Sequence, residues 1–477
     1  MIPWILVLAS PAMLGWLVKI HHVNFPFLDD WMFVNQFEKE PNGFLWTFAK
    51  DDVHLTLHDF FRVQMEHRLA FVRVVVFALH KIWPTDYTKW MWVGWLMLVL
   101  TYHNIAILIR RTTGVAFSQW WPLLALAGLA IFSPLQYRVV LWAMMFQVAC
   151  PGFFLSAALV AFTSRWPAWV KWVVGVICAS LGTQSLASGL LIWVLPLPLL
   201  FWGGAIGKTR TRWIFTAAWL VVFAITVKLY FTDLVNEEDH AFTYGTPIGA
   251  RALDHDVGQF LGHPGRWIPY VMRFLGNHLG RGNGMAVMDG ALLAGTISFA
   301  LYVFACIYCL VHFRRAELRQ KLLPWLLFGS YSIASGLLVC MGRLYASGSG
   351  DNVLASRYVI HAVPLTVSLI VLVWLIGRDL REQKPSWMPA SFLPCTGAAA
   401  TIILLLPWPY GCRLMEMWQS SRLRSATTTM FFKTKLSLQD YVPGNRGHAK
   451  RADDLHLLSP PMLTNTRLDN FKMGSDV

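Results

Sequence analysis

The sequence predicts an all-α protein that crosses a membrane many times, and three observations carry that reading. Of its 477 residues, 56% belong to the apolar set and only 14% are charged, with a mean hydropathy of +0.48. Soluble globular chains have about 45–50% apolar and about 25% charged residues. The apolar residues gather into repeated runs of roughly 17–25 residues, the length needed to cross a hydrocarbon core about 30 Å thick. The 24 Trp residues suit rings anchored at membrane interfaces. Together these exclude a soluble enzyme, a disordered scaffold and a single-pass receptor with a large ectodomain.

The formal net charge of +14 raises the question of an acidic partner. The basic residues punctuate the apolar runs and form no single stripe with interleaved aromatics. That is the pattern of the positive-inside rule, and it argues against nucleic acid. Of the seven Cys, Cys150, Cys178, Cys306, Cys309 and Cys340 lie inside apolar runs. Cys306 and Cys309 form a C-x-x-C within a predicted span, without the βαβ context of a redox pair. The set reads as small buried hydrophobes.

The first run, Ile2 to about Lys19, has no basic residues before it and no small-residue cleavage site after it, which predicts a retained anchor. A polar stretch over residues 21–68 follows, carrying Asp29, Asp30, Glu38, Asp51, Asp52, Asp59 and Glu66. Its many aromatics predict short helices on the membrane surface. The run 69–83 contains Arg73 and His80 and is too short to cross, so it is placed at the interface. Spans are then predicted at about 88–109, 115–133, 139–163, 168–185, 188–206, 213–232, 289–312, 322–341, 357–377 and 389–409. With the first segment this makes about 11 helices. The short loops then assigned to the cytoplasm carry Arg110 and Arg111; Arg165 and Lys171; Lys208, Arg210 and Arg212; Arg314, Arg315, Arg319 and Lys321; Arg378, Arg381 and Lys384. Their agreement puts the N-terminus inside. The opposite side receives the first outer loop (21–87), a second loop (233–288), the loop 342–356, and the C-terminus. A membrane domain over 1–410 is thus followed by a tail or small cap over 411–477.

Chemistry-bearing residues cluster on that outer side. Asp29–Asp30, in Phe-Leu-Asp-Asp-Trp, sit about ten residues after the first span. Carboxylates beside an apolar phase have raised pKa values and serve as general bases; the bland alternative is a helix N-cap. Glu66, His67 and Arg68 close the same loop. They bring an acid, an imidazole and a guanidinium to the membrane surface, either as a proton acceptor with an anion clamp or as a charged helix entrance. His54 and His58 have i,i+4 spacing but lack the H-E-x-x-H pattern of a zinc site. Gln136 and Tyr137 lie in a turn that leads into the span carrying Gln147. Arg357 and Tyr358 open a late span, where a guanidinium beside a phenol suits a lipid phosphate as well as ordinary snorkelling.

Leu28-Asp29-Asp30-Trp31, Glu66-His67-Arg68, Ser133-Pro134-Leu135-Gln136-Tyr137 with Gln147, and Ser356-Arg357-Tyr358, in that order and on one side, resemble the GT-C glycosyltransferases. That superfamily includes protein O-mannosyltransferases, the lipid A aminoarabinose transferase and oligosaccharyltransferases; poorly characterised bacterial members are most similar. The resemblance covers roughly residues 1–410. It implies a GT-C-like helix bundle in a bacterial inner membrane that moves a sugar from a polyprenyl-phosphate donor to a periplasmic glycan, lipid or protein hydroxyl. Asp29 or Asp30 would be the base and Glu66 would orient the acceptor or the Asp pair. His67, Arg68, Gln136, Tyr137, Gln147, Arg357 and Tyr358 would bind substrate. Many members have a second acidic site where this chain has Gln136 and Tyr137; that departure predicts chemistry without a metal or other cofactor, or a metal site completed from elsewhere in the chain. The alternatives from other classes are a transporter or flippase of envelope precursors and an O-antigen-ligase-like, acyl- or phosphotransferase enzyme.

Overall fold

The computed structural model describes residues 2–25, 60–61, 63–64, 67–83, 86–202, 209–232, 262–280, 287–343, 351–383, 389 and 391–435. Among them the chain is almost entirely helical; its only strands, β1 (Val63–Gln64) and β2 (His67–Arg68), form one short antiparallel pair. The remaining elements, in chain order, are α1 (Ile2–His21), α2 (Ala70–Ile82), α3 (Thr88–Thr113), α4 (Phe117–Ile131), α5 (Tyr137–Leu141), α6 (Cys150–Phe162), α7 (Ala168–Thr183), α8 (Leu191–Val194) and α9 (Leu197–Phe201). They continue with α10 (Thr209–Phe231), α11 (Pro264–Gly276), α12 (Val287–Val311), α13 (Ala316–Arg343), α14 (Ser356–Gln383), α15 (Phe392–Leu405) and α16 (Trp408–Lys435).

The protein is an all-α polytopic membrane protein. Among the described residues, nine helical segments are long and apolar enough to cross a bilayer. The sequence predicted about 11. The difference falls on the runs 168–185 and 188–206. The first is the 16-residue α7, and the second runs as a 3-10 turn, α8 and α9, with Pro196 between α8 and α9. The predicted span 139–163 is also broken. Trp142 is extended (φ −122°, ψ 119°), and the 3-10 turn Ala143–Val148 leads into α6. α2, 13 residues long, falls short of a crossing at about 20 Å.

Local chemistry sets the helix ends. Asp86 accepts a hydrogen bond from the Thr88 backbone N–H at 3.1 Å and another from its hydroxyl, satisfying donors in the first turn of α3. At the other end of α3, Gly114 takes the left-handed conformation (φ 65°), with Arg110 and Arg111 in the last turn, where cations offset the helix dipole. Pro364 interrupts α14. The neighbouring Leu365 N–H is taken by the Ser332 hydroxyl of α13 at 2.9 Å, the kind of inter-helix repair that lets proline sit inside an apolar bundle.

The end of the bundle at which α1 finishes is called the upper end. At the lower end the basic loops meet. Arg111 donates to the Val160 carbonyl, Arg212 to that of Phe201 at 3.1 Å, and Arg319 to that of Trp202 at 3.2 Å. Arg315 holds Asp379 through two hydrogen bonds of 2.8 and 2.6 Å. At the upper end α16 lies against the ends of α1 and α4 and the turn that follows α4. His21 and Gln419 share a 2.9 Å hydrogen bond, and the Trp408 and Trp418 indoles donate to the carbonyls of Leu129 and Leu141.

Candidate functional site

α11 positions the most polar part of the upper end. Its buried face (Tyr270, Val271, Phe274, Leu275) packs on α12, α13 and α14. Contact with α12 is backbone to backbone. A Cβ on Gly295 would stand 1.7 Å from the Met272 carbonyl oxygen, so only glycine permits this approach. On α13, the Cys340 thiol lies 4.0 Å from the Trp267 carbonyl. On α14, the Phe274 and Tyr358 rings are 6.1 Å apart. Tyr270, one turn from both Trp267 and Phe274, is therefore held where α13 ends and α14 begins.

Two arginines belong to that junction. Arg357 lies with its guanidinium 5.1 Å from the Tyr358 ring centroid. It is half-buried and makes no hydrogen bond or ion pair among the described residues. Arg343 is one turn beyond Cys340. Burial pushes the Tyr270 phenol above its usual range, as do Tyr358 and Cys340, whereas the Arg343 and Arg357 guanidiniums pull it down. At neutral pH the phenol is thus a neutral donor facing two cations. Arg273, one turn along α11, has its Nε buried without a hydrogen-bond partner. Asn277 braces the segment before Arg357 by donating to the carbonyls of Val353 at 3.2 Å and Ala355 at 3.4 Å. The residues suit an oxyanion: two half-buried guanidiniums, planar donors of fixed charge, with a phenol nearby.

A buried polar chain runs on the same α14 face. His361 is one turn below Arg357, and its Nδ1 is 2.9 Å from the Tyr331 hydroxyl, which is 3.2 Å from the Ser188 hydroxyl. Ser188 belongs to the short apex 184–189. Nearby, His278 Nε2 is 2.7 Å from the Thr366 hydroxyl. Its Nδ1 is buried without a partner, and burial lowers its pKa to about 4.

The other residues expected at the site are placed differently. Asp29, Asp30 and Glu66 lie outside the described residues. His67 is in β2, paired with Gln64. Arg68 is bound to the end of α10: its Nε donates to the Tyr230 carbonyl at 2.8 Å, and NH1 and NH2 donate to the carbonyls of Phe61 and Thr232. Gln136 is wholly buried, donating to the Ile131 carbonyl, with Gly411 of α16 packed on the adjoining Pro134 and Leu135. Tyr137 packs against Trp418, which also stacks on Arg138. Gln147 is buried in the 3-10 turn before α6, its Oε1 without a partner.

Among the described residues of the expected set, only Arg357 and Tyr358 are brought together with further polar residues. Tyr270, Arg343 and Arg273 were not anticipated. Tyr270 and Arg273, three residues apart, share a face of α11, and that spacing was the available signal. Among the described residues no three His, Cys, Asp or Glu side chains come together in a way that could hold a metal ion.

No protein-family model, no curated protein and no solved structure matches the chain. The functional reading therefore rests on the residues themselves.

Proposed function

We propose that the protein transfers a sugar from a polyprenyl-phosphate donor to an acceptor hydroxyl at its upper end, in a bacterial inner membrane. The observation that carries this reading is the half-buried Arg357 guanidinium against the Tyr358 ring at the start of α14, where the buried face of α11 packs through Phe274 and where α13 ends in Arg343. As the bond from the sugar to the lipid phosphate breaks, negative charge grows on the phosphate, and preplaced guanidiniums stabilise it. Asp29 or Asp30 takes the proton of the acceptor hydroxyl, with Glu66 orienting the reactants. In this reading the basic lower end faces the cytoplasm, α7 and the α8–α9 segment complete the eleven crossings, and the upper end and C-terminus face the periplasm.

The test compares lipid-linked sugars and surface glycans in cells carrying the native protein or single variants. Arg343→Ala and Arg357→Ala are expected to raise the donor concentration needed for transfer. Asp29→Asn and Asp30→Asn are expected to lower transfer at saturating donor. Full glycan product from the double aspartate variant removes the base assignment, and unchanged donor dependence in the double arginine variant removes the phosphate site.

The Ser188–Tyr331–His361 chain favours a second reading, since ionisable groups buried in a membrane bundle mark proton and substrate paths. A proton-coupled transporter of an anionic envelope precursor would use the same arginines at its entrance. Flux into proteoliposomes without lipid-linked sugar turnover, abolished by His361→Gln, would establish it over the transferase.

A further inference from the structure

Between α12 and α15 the bundle leaves a groove of about 1230 Å³, floored by α14. Its lining runs along α14 from Thr366 to Leu380, about 21 Å at 1.5 Å per residue. That is most of a bilayer core. Leu293 and Ile297 on one wall and Ile403 on the other are apolar and exposed, and among the described residues no charged side chain lines the groove. In a bilayer such a space is filled by hydrocarbon, and the question is whether it selects the molecule that fills it.

The two ends carry different groups. At the upper end the lining stops at Gly280, Gly290, Leu406 and Tyr410, with Asp289 next to Gly290 and the exposed Arg413 one turn beyond Tyr410. At the lower end it includes Trp374, Gly377 and Leu380 of α14. Arg378 follows Trp374 by four residues, and its guanidinium lies 5.5 Å from the indole centroid. Arg381 follows Gly377 by four residues, so it shares the face that lines the groove. Arg378 shares its charge with Glu382 through a 2.8 Å hydrogen bond, while Arg381 is exposed and has no ion pair among the described residues. An interfacial Trp with two guanidiniums below an apolar channel is the chemistry that recognises an anionic lipid headgroup.

We propose that this groove is a binding site for an anionic phospholipid of the leaflet at the basic end. Its phosphate is held at Arg381 and Arg378, and its chains lie along α14 between α12 and α15. The site is separate from the Arg343–Arg357 recess and does not depend on the function proposed above.

Gly397 supplies a clean steric probe, because it lines the groove and a Cβ built on it meets nothing within 4 Å. The full-length protein, delipidated in detergent, is exposed to phosphatidylglycerol or phosphatidylcholine in mixed micelles, and retained lipid is counted by native mass spectrometry. Native protein is expected to retain phosphatidylglycerol in preference. Arg378→Gln with Arg381→Gln is expected to weaken it roughly thirtyfold, at about 1 kcal/mol per cation near the surface. Gly397→Trp is expected to abolish retention of either lipid with an unchanged melting temperature. Equal retention of both lipids by native protein, or undiminished retention by a folded Gly397→Trp variant, overturns the proposal. So does cross-linking of two copies through the exposed Cys395 of α15, which would show a second chain in the groove.

Discussion

Arg68 Nε donates to the Tyr230 carbonyl at 2.8 Å, so a residue of the first loop closes the last turn of α10. With the further donations to Thr232 and Phe61, the guanidinium is committed to backbone carbonyls that the helix itself leaves unsatisfied. Arg68→Ala should therefore lower thermal stability, by about 1–2 kcal/mol for a partly exposed charged hydrogen-bonding group. Affinity for a lipid phosphate should not change. A binding loss with unaltered melting would return Arg68 to the substrate site.

Arg357 is the opposite case, a half-buried guanidinium that makes no hydrogen bond among the described residues. Arg357→Ala should weaken binding of a short-chain polyprenyl phosphate about tenfold, as expected for loss of a charge-assisted pair. Arg357→Lys should restore little of it, because an ammonium cannot make the planar two-point contact. Arg343→Ala should behave alike, and a double-mutant cycle should show coupling if both hold one anion. Titration of purified protein reports all three.

The sequence alone foretold the membrane class and nine of the long apolar helices, because a twenty-residue apolar run has few alternatives in a bilayer. The sorting of cations by loop has a structural counterpart, since Arg111, Arg212, Arg319 and Arg315 all act at the lower end. Other features depend on contacts that no window of sequence contains. Gln136 reads as a polar turn residue, yet α16, nearly 300 residues away, packs over its turn. Tyr270 lies in a predicted loop, yet Gly295 of α12 lets its helix pack tightly into the bundle. His361 and Tyr331 belong to separate apolar runs, and only the pairing of α13 with α14 makes them partners.

His278 gives a pH prediction. Burial holds its pKa near 4, against about 6.5 in an unfolded chain. Below pH 6.5 the unfolded state binds a proton that the folded state refuses, so stability declines as pH falls from about 6.5 toward 4 and levels off below that. The full loss is of the order of 3 kcal/mol. Melting temperatures measured between pH 7.5 and 4 should fall for the native protein, and His278→Gln should flatten that part of the profile. Parallel profiles would exclude His278 as the source.

Asp379 is engaged from three elements. Arg315 donates two hydrogen bonds, the Tyr308 hydroxyl one at 2.5 Å, and Gln383 one at 2.6 Å, tying the ends of α12 and α14 to the loop before α13. Arg315 is close to half exposed, so solvent screens part of the attraction. Asp379→Asn should cost about 2 kcal/mol, more than an exposed pair and less than a fully buried one. Urea unfolding in detergent would measure it, and a cost below about 0.5 kcal/mol would class the cluster with ordinary surface pairs.

Gly295 and Gly397 test whether close helix contact or mere exposure accounts for glycine in these helices. An Ala at 295 would set its Cβ against the Met272 carbonyl, so α11 must move away from α12. Overpacking of this kind costs roughly 1–3 kcal/mol. The same change at Gly397 meets nothing within 4 Å and removes a poor helix former, so it should be neutral or stabilising by up to about 1 kcal/mol. Because α11 carries Tyr270 to the two arginines, Gly295→Ala should also weaken lipid-phosphate binding while Gly397→Ala leaves it intact. Equal melting temperatures for the two variants would mean that the α11–α12 contact yields without cost, and the recess would then need another source of rigidity.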